Sequence, residues 1–155
     1  MANFNVPIIS QKTAYMCWEA CGHMMWDWMY RTNAAKKAQY AKTAGKFAKL
    51  NTGLTGNQCE PFYKQLGLRV LKNASGANVR HALRWSPVVF SSVSKATGHM
   101  LIATGNANGT YTIVNPCAIM AIDFDTTSGG TCEAGATNLS QTQVDKELGH
   151  HIWYW

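Results

Sequence analysis

The sequence predicts an α+β fold, with helices in the N-terminal half and an antiparallel sheet in the C-terminal half. Apolar residues recur at helical spacing over residues 17–31, where Met24 and Trp28 share one face. From Pro87 onward, apolar residues fall in short runs rich in β-branched and aromatic side chains, which is typical of strands. Helices followed by strands indicate two packed layers, with a cleft where the two layers meet.

The first half of the chain is expected to be extended over residues 1–16 and then mainly helical. Gly67 follows a helical pattern at the position where glycine commonly ends a helix, and Ser75 precedes another at the position of an N-cap. The predicted elements are helices over residues 17–31, 34–50, 57–66 and 77–84, and a short strand over residues 68–71.

The second half is expected to form successive antiparallel strands. Asn108-Gly109 separates two of them, and this dipeptide readily adopts the positive φ angles of a tight hairpin turn. A polar, glycine-rich loop is expected over residues 125–137 and a short helix over residues 139–148. The predicted strands span residues 87–93, 98–105, 111–116, 118–124 and 150–155.

Cys17 is the candidate nucleophile because it begins the first predicted helix. The helix dipole and the unpaired N–H groups of a helix N-terminus favour a thiolate over a thiol. Gln11 lies six positions earlier, where its side-chain amide can hold the oxyanion that forms when sulfur attacks a carbonyl. We therefore expect an oxyanion hole made by the Gln11 side chain and the backbone N–H of Cys17.

His99 is the candidate base because it enters one strand of the predicted hairpin, while Asn115 ends the other strand. These two ends lie side by side, so Asn115 can bond the imidazole of His99 and fix its tautomer. His23 lies too close to Cys17 in sequence to face it across a cleft, and His81 falls within a predicted helix. The residues thus predict a catalytic set of Cys17, His99 and Asn115.

The order and spacing of these residues resemble the papain-like cysteine peptidases. Within them, the sequence is similar to the small bacterial branch of double-glycine leader peptidases and secreted effector proteases, over roughly residues 5–120. Two features depart from that branch, which often has Asp-Pro at Asn115-Pro116 and an aromatic residue at Cys117. The motifs that carry the resemblance are Gln11, Cys17-Trp18, Gly98-His99 and Asn115-Pro116.

The resemblance implies a single papain-like cysteine peptidase domain over residues 1–155, with the active site between the helical half and the sheet. It implies a cysteine endopeptidase that cuts a protein substrate beside small residues such as Gly-Gly. A bacterial effector or toxin is favoured, with a dedicated inhibitor (immunity) protein as a partner. Trp18 and Gly98 are assigned to substrate binding, although core packing is the default for Trp18. The alternatives are an amidase acting on peptidoglycan or isopeptide bonds, and a catalytically inactive protein-binding module.

Composition and charge exclude several classes of protein. The chain has 155 residues, 46% hydrophobic and 14% charged, which fits a folded domain and excludes a disordered tail. Its net charge of +6 derives partly from lysines in an alanine-rich helix, which we interpret as a solvated surface and not as a nucleic-acid site. No apolar run is long enough to span a membrane, and the N-terminus does not resemble a signal peptide. We therefore expect secretion, or delivery into a target cell, by a route without an N-terminal signal peptide.

The chain has five cysteines, an odd number. Apart from Cys17, the four others can form two disulfides in three ways, or remain reduced. A bridge between Cys117 and Cys132 would fasten the loop-rich C-terminal section. A zinc site is not expected because only Cys17 and Cys21 form a close pair, and no cofactor is expected.

Overall fold

The computed structural model describes residues 3–12, 16–50, 52–54, 56–92, 99–120 and 132–155. It confirms the predicted α+β class. A 3₁₀ helix over Gly45–Lys49 follows the third α-helix. The α-helices are α1 Cys17–Met29, α2 Ala34–Lys37, α3 Tyr40–Ala44, α4 Gly56–Gln65, α5 Gly76–Ala82 and α6 Gln141–Glu147; the strands are β1 Arg69–Lys72, β2 Val88–Ser92, β3 His99–Ala107, β4 Thr110–Met120, β5 Cys132–Ser140 and β6 Leu148–Tyr154.

The six strands form one antiparallel sheet in the order β1-β6-β2-β3-β4-β5. The predicted hairpin joins β3 to β4: Asn108 and Gly109 have φ angles of 52° and 80°, and Ala107 pairs with Thr110. Positive φ at both central residues is the geometry that Asn-Gly supplies. The hairpin therefore brings the beginning of β3 beside the later part of β4, as predicted.

Helices cover both faces of this sheet. α1 packs against β3 and β4 on one face, where Met100 and Ile102 enter its core cluster. α5 and α6 contribute to a second cluster on the opposite face, which contains Leu101 and Ala103 of the same strand. Since successive side chains of a strand point to opposite faces, β3 is buried on both sides. A strand fixed in this way holds its first residue, His99, in a defined place.

The N-terminal end of α1 is anchored by close packing against α4. Trp18 is fully buried, its ring meets that of Phe62 edge to face at 4.9 Å, and its indole N–H donates to the Thr52 carbonyl at 2.9 Å. A Cβ on Gly22 would lie 2.4 Å from the Phe62 ring, so only glycine allows the two helices to approach this closely. This packing fixes the position of Cys17, the first residue of α1.

Three predictions of secondary structure were wrong at least in part. The single helix expected over residues 34–50 is divided into α2, α3 and the 3₁₀ helix. Gly45 adopts a φ of 55° that an α-helix does not allow, and this ends α3 where the 3₁₀ helix begins. The loop expected over residues 125–137 is partly strand, since residues 132–137 belong to β5 and pair with β4. A separate strand was expected over residues 118–124, but residues 118–120 belong to β4. Residues 121–131 lie outside the described part of the chain.

Two further properties bear on function. Within the described ranges, no helix has the length and apolar character needed to cross a bilayer. The same ranges contain no group of three or more His, Cys, Asp or Glu side chains arranged to hold a metal ion.

Candidate active site

Cys17 occupies the first position of α1, as predicted, and is 9% exposed. Its core cluster also contains Met100, which follows His99, and Val114, which precedes Asn115. The thiol therefore begins a 13-residue helix that packs on the face of the sheet occupied by Met100 and Val114. The positive end of the helix dipole favours the thiolate at this position.

His99 and Asn115 are in direct contact, with Nε2 of the imidazole 2.7 Å from Oδ1 of the amide. The same Oδ1 accepts a hydrogen bond of 2.8 Å from the backbone N–H of Cys117. Because a backbone N–H can only donate, the Asn115 atom facing it must be the oxygen, and this determines which way the amide points. Nε2 of His99 must then carry the proton in that contact, which leaves Nδ1 as the basic nitrogen of the neutral ring.

Gln11 is held beside the same end of β4. Its backbone N–H donates to the Pro116 carbonyl at 3.0 Å, and the residue is 4% exposed. The preceding Ser10 accepts a hydrogen bond of 3.0 Å from the Ala134 N–H of β5. The extended N-terminal segment is thus fastened to both β4 and β5, which positions Gln11 next to the residue that follows Asn115.

The structure therefore brings Gln11, His99 and Asn115 together at one end of the β3–β4 hairpin. It places Cys17 in a core cluster that also contains Met100 and Val114, which adjoin His99 and Asn115 in the chain. The catalytic roles of these residues remain predictions. The assignment of Trp18 to substrate binding was wrong, because its side chain is fully buried against Phe62 and has no surface to offer a substrate. The predicted substrate contact at Gly98 lies outside the described residues.

Two further reduced thiols, those of Cys21 and Cys59, are fully buried behind Cys17. Burial raises the pKa of the Cys21 thiol well above its ordinary value, and the charge of Cys17 raises it further. Burial also raises the pKa of the Cys59 thiol, again with a contribution from Cys17. Both thiols therefore stay protonated at neutral pH. Cys117 is disulfide-bonded, whereas the side chain of Cys132, one of the partners considered from the sequence, lies outside the described part.

The backbone N–H of Cys117 is a part of the candidate site that was not predicted from the sequence. Pro116 has no N–H, so Cys117 carries the first backbone donor after Asn115. An asparagine oxygen that accepts from the N–H two residues later forms an Asx turn, which is a local and recognisable motif. The Asn-Pro-Cys order could therefore have predicted how the Asn115 amide is oriented.

Comparisons with known proteins show the family and the fold of this chain. A family profile described as "Papain-like cysteine protease AvrRpt2" matches residues 1–122. Among curated proteins no match was found.

Several solved structures share the fold. A double glycine motif protease from an AMS/PCAT transporter, solved with its leader peptide, is 12% identical, with a TM-score of 0.61 over 99% of this chain and 94% of that one. A C39-like peptidase from Bacillus anthracis is 13% identical, with a TM-score of 0.60 over 97% of this chain and 94% of that one. The peptidase domain of Streptococcus ComA is 17% identical, with a TM-score of 0.57 over 94% of this chain and 93% of that one. Because the profile covers most of the chain and the fold agrees, the chain belongs to the papain-like cysteine protease family of AvrRpt2.

Proposed function

We propose that this cysteine peptidase uses Cys17 as its nucleophile and cleaves a protein substrate beside small residues such as Gly-Gly. The observation that carries the proposal is the contact between His99 and Asn115, because the Cys117 N–H orients the amide and so leaves Nδ1 of His99 as the base. A histidine oriented in this way can take the proton of a thiol and later deliver it to a leaving amine.

In the proposed reaction, Cys17 and His99 form a thiolate and imidazolium pair. The sulfur attacks the scissile carbonyl carbon, and the resulting oxyanion accepts hydrogen bonds from the Gln11 side chain and the Cys17 backbone N–H. The C–N bond then breaks as the imidazolium of His99 gives its proton to the leaving amine. Water, deprotonated by His99, attacks the thioester and releases the acid and the free thiol.

The burial of Cys17 and Gln11 supports a preference for small residues. They are 9% and 4% exposed, and we propose that a scissile carbonyl reaches them through a narrow cleft. A peptide with glycine on either side of the scissile bond would fit such a cleft, whereas a branched side chain would collide with the residues that line it. The double-glycine specificity belongs to the protease of similar fold solved with its leader peptide, and we extend it to this chain as part of the proposal.

A matched set of substrates tests this function. One unfolded polypeptide would carry a single Gly-Gly site, and otherwise identical versions would carry Ala-Ala or Val-Val at the same place. We expect rates in the order Gly-Gly, Ala-Ala, Val-Val, with no cleavage by Cys17→Ala. Equal rates on the three substrates would contradict the specificity, and full activity of Cys17→Ala would contradict the mechanism. Cleavage of peptidoglycan or isopeptide-linked substrates in preference to all three would favour the amidase alternative.

We further propose that the peptidase is a secreted or cell-delivered effector or toxin held in check by an inhibitor protein. The resemblance to secreted effector proteases supports this role. Expressing the chain inside a candidate target cell, with Cys17→Ala as the matched control, tests toxicity that depends on the active site. Loss of viability with the active chain alone would support the role, whereas equal growth of both cultures would contradict it.

A further inference from the structure

The last residue of α6, Glu147, bonds a buried residue of the strand that precedes the candidate base. The Oγ hydroxyl of Ser92 on β2 donates to Oε2 of Glu147 at 2.5 Å. Ser92 is 3% exposed and Glu147 is half-buried, so this bond is partly shielded from bulk water. A hydrogen bond to a carboxylate in such surroundings is stronger than one between neutral groups, and it holds both side chains in place.

Ser92 is the direct cross-strand neighbour of His99. The two residues face each other in the register of β2 and β3, so their side chains lie on the same face of the sheet. Directly opposed residues have Cβ atoms about 4.5–5.5 Å apart in antiparallel sheets. On its other side Ser92 pairs with Leu148, the residue after Glu147, at a shift in the register of β2 and β6. The carboxylate of Glu147 is therefore held one residue away from His99.

The other titratable groups around this arrangement are placed differently. Asp145 and Lys146 of α6 are exposed, and Asp145 accepts from Gln141 instead of facing β2. Across the sheet, β4 presents to His99 the neutral amide of Asn115. Among the side chains that the structure describes, the elements packed around this arrangement also carry Cys17 on α1, Arg80 and His81 on α5, Tyr111 on β4, and Tyr154 and His151 on β6, where His151 pairs with Lys72 of β1.

We propose that Glu147 is a positioning residue for His99, supplying through Ser92 the negative charge that Asn115 lacks. The carboxylate favours the imidazolium form of His99, and its bond to Ser92 fixes the strand end that faces His99. This inference rests on the proposed role of His99 as the base. Asn115 then orients the ring, while Glu147 stabilises its charge.

The variant Glu147→Gln tests the charge, because glutamine keeps an oxygen that can accept from Ser92. Opposite charges near an imidazole favour its protonated form. We therefore expect the pH at which His99 loses its proton to fall by roughly half a unit to one unit in Glu147→Gln. The matched control is Asp145→Asn, which removes a carboxylate from the same helix away from Ser92, and it should shift that pH by less than about 0.2 units.

The measurement is an NMR titration of the His99 ring, recorded in a Cys17→Ala background so that no proton is shared with the thiolate. Active Glu147→Gln enzyme should show the alkaline limb of kcat/KM displaced to lower pH by the same amount. An unchanged His99 titration in folded Glu147→Gln would overturn the inference. If Glu147→Gln does not fold, Ser92→Ala carries the same test. It breaks the bond but keeps the charge, so a smaller shift in the same direction supports the inference and an unshifted titration overturns it.

The proposed function fails in a different way. If His99→Ala retained full peptidase activity, the role of His99 as the base would be wrong, whatever its titration shows. The titration itself is read in an inactive protein, so it reports the effect of Glu147 on His99 independently of catalysis.

Discussion

Replacing Asn115 with alanine should slow the reaction without abolishing it. Asn115 contributes one hydrogen bond to His99, at 2.7 Å, and touches no reacting atom in the proposed mechanism. A hydrogen bond to a charged partner contributes about 1.5–3 kcal/mol. If that contribution is lost when the imidazolium forms, kcat/KM should fall about tenfold to 150-fold, since about 1.4 kcal/mol corresponds to a factor of ten.

The same substitution should also reduce stability. The N–H of Cys117 would lose its acceptor, and Cys117 is only 6% exposed. Leaving a buried donor without a partner typically costs about 1–3 kcal/mol in the free energy of unfolding. Asn115→Asp is the matched control, because a carboxylate accepts from both the N–H and the imidazole and should restore most of the activity and stability.

Both effects can be measured on the same preparations. Steady-state cleavage of the Gly-Gly substrate gives kcat/KM, and urea unfolding gives the free energy. The reasoning is refuted if Asn115→Ala keeps kcat/KM within twofold of the original chain. It is refuted equally if Asn115→Asp loses as much activity as the alanine variant, since the acceptor atom would then not matter.

Three other substitutions give distinct outcomes. Gln11→Ala removes one oxyanion donor and should lower kcat about a hundredfold to a thousandfold. Iodoacetamide should still alkylate Cys17 at its original rate, and a parallel loss of alkylation would argue against an oxyanion role. Gly22→Ala should lower the free energy of unfolding by about 1–3 kcal/mol, because its Cβ would lie 2.4 Å from a buried aromatic ring; a more stable variant in urea unfolding would contradict this packing. The pKa of Glu60 is lowered to about 2, and the largest cause is the hydrogen bond that Lys64 donates to its carboxylate. The ionised carboxylate therefore stabilises the folded protein above pH 4.5, and this stabilisation is lost as the pH falls toward 2. Glu60→Gln should therefore be less stable than the original chain at pH 6 and equal to it near pH 2, and a difference that stays constant with pH would disprove the linkage.

Local signals predicted the elements that carry the candidate site. The helical spacing after Cys17 located α1, and the Asn-Gly dipeptide located the hairpin that joins His99 to Asn115. Both are short-range features in which neighbouring residues determine the conformation. The order and spacing of these same segments also supplied the candidate site residues, whose catalytic roles stay predictions.

Long-range effects explain what the sequence did not predict. β5 contains Gly135 and Asn138, which are poor strand formers, and it is a strand because its backbone pairs with β4. The bond between Ser92 and Glu147 joins residues 55 positions apart, and neither residue type marks such a contact in a sequence. Pairing partners of this kind are determined by the folded sheet and not by the local pattern.

The buried thiols have a practical consequence for work with this enzyme. Because Cys21 and Cys59 are fully buried and their pKa values are raised, a thiolate-selective reagent at neutral pH should react in the folded protein with Cys17. In a fully folded preparation, the amount of reagent consumed then counts the competent molecules, as an active-site titration does. After unfolding, Cys21 and Cys59 react as well. The ratio of the reagent consumed before unfolding to that consumed after it therefore gives the folded fraction of a sample.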